Sequence, residues 1–181
     1  MADRRPAETR VERDDGVVFT MRGPGGGAEL PHDLVHALVE AELGVRDGIW
    51  GCVADGVVWR SMRHVSGRRP PHAGERSERL KRERAEAISR AEGLANQLAR
   101  LASDGPALPG GAGIAWLPAE RLAAATEALR AAARRWAALA PGDSWTFEWP
   151  AAPRQRAGSA GIRPADGRGR RRRHGGRGPR S

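Results

Sequence analysis

The sequence predicts an α+β fold, a small antiparallel sheet covered by about four helices and followed by a disordered Arg/Gly-rich tail. Three observations carry that reading. Apolar residues alternate at Val17, Phe19 and Met21, and again at Trp145, Phe147 and Trp149, which is the period of a half-buried strand. Two stretches repeat apolar residues every seven positions: Leu80, Ala87, Leu94 and Leu101, then Leu122, Leu129 and Trp136. Beyond Pro150 the composition turns to Arg, Gly and Pro, with too little apolar surface to offset chain entropy.

The elements follow in order. Thr9–Arg13 and 17–21 read as a hairpin closed by Asp15-Gly16, a favoured two-residue turn. Gly23-Pro24-Gly25-Gly26-Gly27 then ends the extended segment as a flexible turn. It lacks the G-x-G-x-x-G spacing and no Lys-Ser/Thr follows it, so it is not a phosphate cradle. Pro31 to Leu43 is expected to be a helix, with Pro at its start, Asp33 in the first turn and Gly44 as the stop. Leu34, Val35, Leu38 and Val39 span an arc of about 140° on it, a normal apolar face.

Asp47–Met62 supports two readings. Ile49, Val53 and Val57 make a helical stripe, with Gly51 and Ala54 allowing close approach to a neighbour. Asp55-Gly56 would equally turn a hairpin, but strict alternation is missing on both sides and the helix is favoured. Residues 63–76, around Pro70-Pro71, read as a linker or surface loop. Glu78–Ala102 reads as one long helix in which Ala91 and Leu98 complete the seam and Arg84 interrupts it. Its charge-dense first half is expected in water and its Leu94–Leu101 half in the core. Another Gly/Pro loop fills 104–113, a helix runs from Pro118 to Ala140, and Trp145–Trp149 is expected to add a C-terminal strand to the hairpin. This organisation is a single domain over 8–150 and a basic tail over 151–181.

The charge is unevenly placed. Of 31 Lys+Arg, thirty are Arg, as in a high-GC bacterial genome, and they face 22 Asp+Glu. Residues 151–181 hold ten Arg and one acid, whereas the first 150 residues hold 21 groups of each sign. The basic surplus therefore belongs to the tail. There Arg168, Arg170, Arg171, Arg172, Arg173 and Arg177 stand among glycines, resembling arginine-glycine segments that hold nucleic acid weakly by counterion release. The alternative is a solvated extension in an Arg-biased proteome. Cys52, alone, excludes an internal disulfide and an all-cysteine zinc site; it reads as a small buried hydrophobe. Met1–Arg10 has no apolar signal core, and no apolar run approaches the ~20 residues that cross a bilayer. A cytoplasmic protein without a membrane partner is the expectation.

The pointed motif is His32-Asp33-Leu34-Val35-His36. On a helix, two imidazoles four residues apart share a face and can hold zinc or another divalent metal, with Glu40 one turn further as a candidate third ligand. In the H-E-x-x-H zinc hydrolases the acid after the first His activates the bound water; Asp33 stands there with a shorter reach. An H-D-x-x-H pattern also occurs in the ubiquinone-biosynthesis protein family, whose members carry a Glu twelve residues after the second His, where this chain has Gly48. The plain alternative is an amphipathic helix with polar flanks: Asp33 as a first-turn acid, and His36 with Glu40 as an i,i+4 pair. His64 and His72 lie in loop composition as possible further ligands or solvated groups. The six Trp read as core, with Trp145 and Trp149 as the alternative stacking platform for bases.

The segment Glu29–His36, with Glu40, Leu43-Gly44, Arg46, Gly48-Ile49-Trp50-Gly51 and the 53–59 run, resembles a set of small proteins from high-GC Gram-positive bacteria. The resemblance covers roughly residues 10–62 and the closing aromatic segment. It implies one shared small fold and brings no activity with it. With no complete catalytic set in view, the expected function is a non-enzymatic interaction module. It would bind a partner or a second copy through helix 78–102 and nucleic acid weakly through its tail. The competing expectation is a metal-dependent, hydrolase-like enzyme using the H-D-x-x-H helix.

Overall fold

The computed structural model describes residues 7–22, 29–104 and 114–150. The expectations for Gly23–Gly27, for 105–113 and for the tail with its arginines lie outside these residues. The architecture is α+β. Strands β1 (Thr9–Glu12), β2 (Val18–Met21) and β3 (Arg63–Ser66) form an antiparallel sheet in the order β1-β2-β3, accompanied by helices α1 (His32–Leu43), α2 (Ile49–Ala54), α3 (Ala73–Glu83), α4 (Ala85–Ala102) and α5 (Ala119–Ala138).

The hairpin closes where Asp15-Gly16 predicts. Gly16 takes a positive φ of 75°, a conformation that glycine adopts without a Cβ clash. Arg13 and Val17 close the ladder, and the Asp15 carboxylate accepts the Val17 N–H at 3.1 Å. The third strand is a correction. It is not Trp145–Trp149 but Arg63–Ser66, inside the stretch read as a loop, paired to β2 with Phe19 opposite His64 and a bulge at Val18/Phe19. All four β3 residues are exposed, so no apolar alternation marks them; the strand is held by backbone pairing to β2 and by the edge of the His64 ring on Phe19. Trp145, Phe147 and Trp149 are half-buried and Thr146 and Glu148 exposed, so the alternation is real, but among the described residues the segment belongs to no sheet. It lies beside α5 and the α1–α2 loop: the Arg135 guanidinium sits 4.1 Å from the centre of the Trp145 ring, and Arg46 donates to the Pro150 carbonyl at 3.1 Å. Alternating burial against neighbouring elements gives the period of a strand without its ladder.

Pro31 caps α1, and Gly44 ends it in the left-handed conformation (φ 69°). The helical reading of the next segment holds for Ile49–Ala54 only; Asp55-Gly56 terminates that helix rather than turning a hairpin. A Cβ on Gly51 would overlap the carbonyl of Arg46, so this glycine admits the helix's own entry loop. The long helix over 78–102 is in fact two. It starts earlier, at Ala73, and breaks at Arg84 (φ −108°, ψ 14°). The seam position that carries a guanidinium is the point of breakage: Arg84 reaches across to Asp55 at 2.6 Å and to the Cys52 sulfur at 3.9 Å. Ser77, the buried residue of α3, bonds both the N–H and the C=O of Val58 and so ties α3 to the loop after α2.

Two apolar clusters result. Val35 and Val39 of α1, Leu94, Ala95 and Leu98 of α4, and Ala125 and Leu129 of α5 form the helical core. Val11, Val17, Phe19, Met21, Val53 and Met62 form the sheet core, with Trp50 and Trp59 packed on it. The seam of α4 is thus consumed inside the chain. Trp116 departs from the reading of all Trp as core, being 61% exposed. Among the described residues no helix is long and apolar enough to cross a membrane.

Candidate metal centre

Helix α1 turns His32, His36 and Glu40 to one side because they are four residues apart. At its middle, His36 and Glu40 are among the most buried polar groups of the chain, 3% and 1% exposed. Glu40 is fully occupied. One carboxylate oxygen accepts the Ile49 N–H at 2.9 Å and the other accepts the Trp50 N–H at 3.0 Å. These are orphan donors at the start of α2, where Gly48 offers no side-chain cap. Gly48 is itself required: a Cβ there would lie 2.6 Å from the Glu40 carboxylate. The Trp50 indole N–H donates to the Asp33 carbonyl at 2.8 Å, locking α2 to α1 a second time.

The third contact of Glu40 sets the chemistry. With both of its oxygens accepting, His36 Nδ1, 3.3 Å from Oε1, is the donor. In neutral His36 this leaves Nε2 with a bare lone pair. Two further potential ligand atoms lie beside it: His32 Nε2 at 3.2 Å and, from α4, Glu92 Oε2 at 3.3 Å. The remaining side, His32 Nε2 to Glu92 Oε2, is 3.7 Å. His32 is 32% and Glu92 47% exposed, so the triangle opens to solvent on one side. Burial alone would lower the His36 pKa, but the hydrogen bond to Glu40 and the charges of Glu92 and Glu40 outweigh it, and the net shift is upward. Protons on the two rings bridge these atoms pairwise, whereas a cation at their centre would be shared by all three.

Glu40, read from the sequence as a ligand, is therefore placed behind His36 and outside the convergent set, which is His32, His36 and Glu92. Asp33 does not face this set as a base: its carboxylate accepts from Thr9 Oγ1 of β1 at 3.3 Å, and burial raises its pKa against the opposing effects of Thr9, His32 and His36. His64 lies edge-on to Phe19 with its Nε2 at the Gly67 carbonyl, and His72 lies beside Glu75; neither joins the cluster. Cys52 is fully buried, and burial pushes its thiol pKa up despite Arg84, as expected of a small core residue.

Glu92 was invisible to motif reading because it lies 56 residues from His36. Its signal is positional. It directly follows Ala91 of the α4 seam, on the flank that meets α1, whose apolar face carries His32 at its edge.

Compared with known proteins, the chain matches no family model, no curated protein and no solved structure.

Proposed function

We propose that this protein is a divalent-metal-binding module. In this reading His32 Nε2, His36 Nε2 and a Glu92 oxygen are the ligands, and Glu40 orients His36 from behind. The observation that supports it is the convergence of three potential ligand atoms, separated by 3.2, 3.3 and 3.7 Å, at one buried imidazole whose other nitrogen is already fixed by a carboxylate. Ligand atoms at ~2.0–2.1 Å from a tetrahedral zinc are roughly 3.3 Å apart. Two imidazoles and a carboxylate suit zinc better than calcium or magnesium, which favour all-oxygen shells. A carboxylate–histidine–metal relay is the usual way a protein fixes the tautomer and raises the basicity of a ligand. We put the binding role on this cluster; the buried α4 residues Leu94, Ala95 and Leu98 pack against α1 and α5 of the same chain.

Elemental analysis and calorimetry of the purified, tag-free protein test the reading. Zinc is expected to bind one to one and to be lost in the His32→Ala, His36→Ala double variant. A protein that takes up no zinc, cobalt or manganese under conditions where it is folded would end it. The half-exposed His32 and Glu92 leave a fourth position facing solvent, which favours a second reading as a metal-dependent hydrolase with a bound water there. Zinc-dependent turnover of an activated ester or phosphodiester, abolished by Glu92→Ala, would establish that second reading over the first.

A further inference from the structure

We propose that the β3–α3 end of the folded body is a docking surface for the sugar–phosphate backbone of duplex DNA, distinct from the tail. The first 150 residues are neutral as a whole, but residues 60–84 hold nine basic groups against three acidic ones. The charge of the body is therefore unevenly placed, and its strongly basic stretch is one continuous piece of chain: β3, the loop after it and α3. Lys81, Arg79 and Arg84 of this stretch have acidic partners. Arg60, Arg63, Arg68, Arg69, Arg76 and Arg82 are exposed, and none of them meets an acid at ion-pair distance among the described residues.

The scaffold beneath them is rigid. Gly67 has φ +87°, and a Cβ on it would lie 2.2 Å from the Gly16 carbonyl, so the start of the Arg68-Arg69 loop is pressed directly on the hairpin turn. His64 Nε2 holds the Gly67 carbonyl at 2.9 Å, Pro70-Pro71 follow, and the Ala73 N–H closes on the Pro70 carbonyl. Arg76 comes down beside Gly56, where Arg13 also arrives. Exposed guanidinium groups on a fixed frame lose less freedom on binding than the same groups on a loose chain. Their planar forks match phosphate oxygens, and a row of phosphates supplies the repeated negative charge such a surface lacks. Exposed aromatic or long aliphatic anchors of the kind a membrane surface would take are missing from the stretch, where Val65 is the exposed large apolar residue.

The test uses the full chain and a short fluorescent DNA duplex, with affinity measured across a salt series. Arg63→Ala, Arg68→Ala, Arg69→Ala is expected to weaken binding at least tenfold at low salt. It should also flatten the plot of log affinity against log salt by about 0.9 for each phosphate that is no longer neutralised. The control, Arg90→Ala, Arg121→Ala, Arg134→Ala, removes the same charge from other exposed positions and is expected to change affinity less than about twofold. Equal losses in both triples would reduce the surface to net charge and overturn the proposal; no loss in the first would leave the tail as the sole site of attachment and overturn it as well. Retention by phosphatidylglycerol vesicles that exceeds DNA binding and depends on the same three arginines would reassign the surface to lipid. The outcome is independent of metal uptake, because none of these residues touches the His32–His36–Glu92 cluster.

Discussion

At the α1–α4 contact the polar groups face one another, whereas at the β3–α3 end they face water. His36 and Glu40 are buried, and three of the four acceptor or donor atoms around them are assigned to partners before any ligand arrives. Arg63, Arg68 and Arg69 are exposed, with no acidic partner among the described residues. The two regions have opposite requirements. In the first, stability depends on keeping a hydrogen-bond network complete, and three potential ligand atoms converge at its solvent-facing edge. In the second, the charges are nearly irrelevant to folding, and what the fold contributes is a frame that holds them still.

The largest effect separating the regions is expected from Glu40→Ala. It orphans the Ile49 and Trp50 N–H groups, frees the His36 ring and leaves a void behind Gly48. Removing one member of a buried charged network costs about 3–5 kcal/mol, which chemical denaturation would read directly. Glu40→Gln retains an acceptor oxygen and should lose less. A cost for Glu40→Ala below about 1 kcal/mol would show that the carboxylate does not organise the junction. On the other side, Arg68→Ala and Arg69→Ala should leave the denaturation midpoint almost unmoved, but Gly67→Ala should not. It forces a non-glycine residue to φ +87° with its Cβ against the Gly16 carbonyl, for an expected loss of about 2–3 kcal/mol. If Gly67→Ala is neutral, the arginine loop is not anchored on the hairpin.

The same contrast explains what was legible in the sequence. Elements defined by a buried face were readable: β2, α1, α5 and the packed half of α4 all carry apolar periodicity. The Asp15-Gly16 turn and the Gly44 stop were readable because glycine there has a conformational reason. β3 was not, because its four residues are all exposed and what holds them is backbone pairing to β2 with the His64 ring against Phe19. The break at Arg84 was readable only in part. The polar seam residue was evident, but its partners Asp55 and Cys52 come from another element. In the site, i,i+4 spacing put His32, His36 and Glu40 on one stripe. It could not tell that the two backbone N–H groups of α2 would claim Glu40, nor that the α4 flank would bring Glu92 in its place.

A smaller effect follows from His36. Its folded pKa is raised above the ordinary value of 6.5. The protonated ring is then favoured in the folded state, and its contribution to stability is fully present below pH 6.5 and lost as pH rises through the raised folded value. Metal-free protein should therefore lose stability as pH rises across that window, and His36→Ala should remove the slope. Zinc should reverse it, since ligation needs the unprotonated ring and the metal's stabilisation grows with pH. A metal-free slope of the opposite sign in pH-dependent melting would contradict the assigned role of Glu40 and Glu92 beside the ring.

The smallest expected stability effect is at Glu92, and it sharpens the comparison most. Glu92 and Glu40 both lie 3.3 Å from His36, one at each ring nitrogen. Glu40 is buried and bonded to the backbone; Glu92 is 47% exposed, and among the described residues no backbone N–H holds it. Above the folded pKa of His36, with a chelator present, the Glu92 carboxylate has no proton to accept from His36 Nε2. Its removal should then change stability by no more than about 0.5 kcal/mol, with a slight gain as natural as a slight loss. With zinc present the same substitution removes one of three ligands and should abolish most of the metal-induced rise in melting temperature. Glu92→Ala that destabilises the metal-free protein as much as Glu40→Ala would make Glu92 a second structural carboxylate and leave the ring without a ligand-directed partner. A near-silent variant that loses only its response to zinc would mark Glu92 as a residue held in place for an ion.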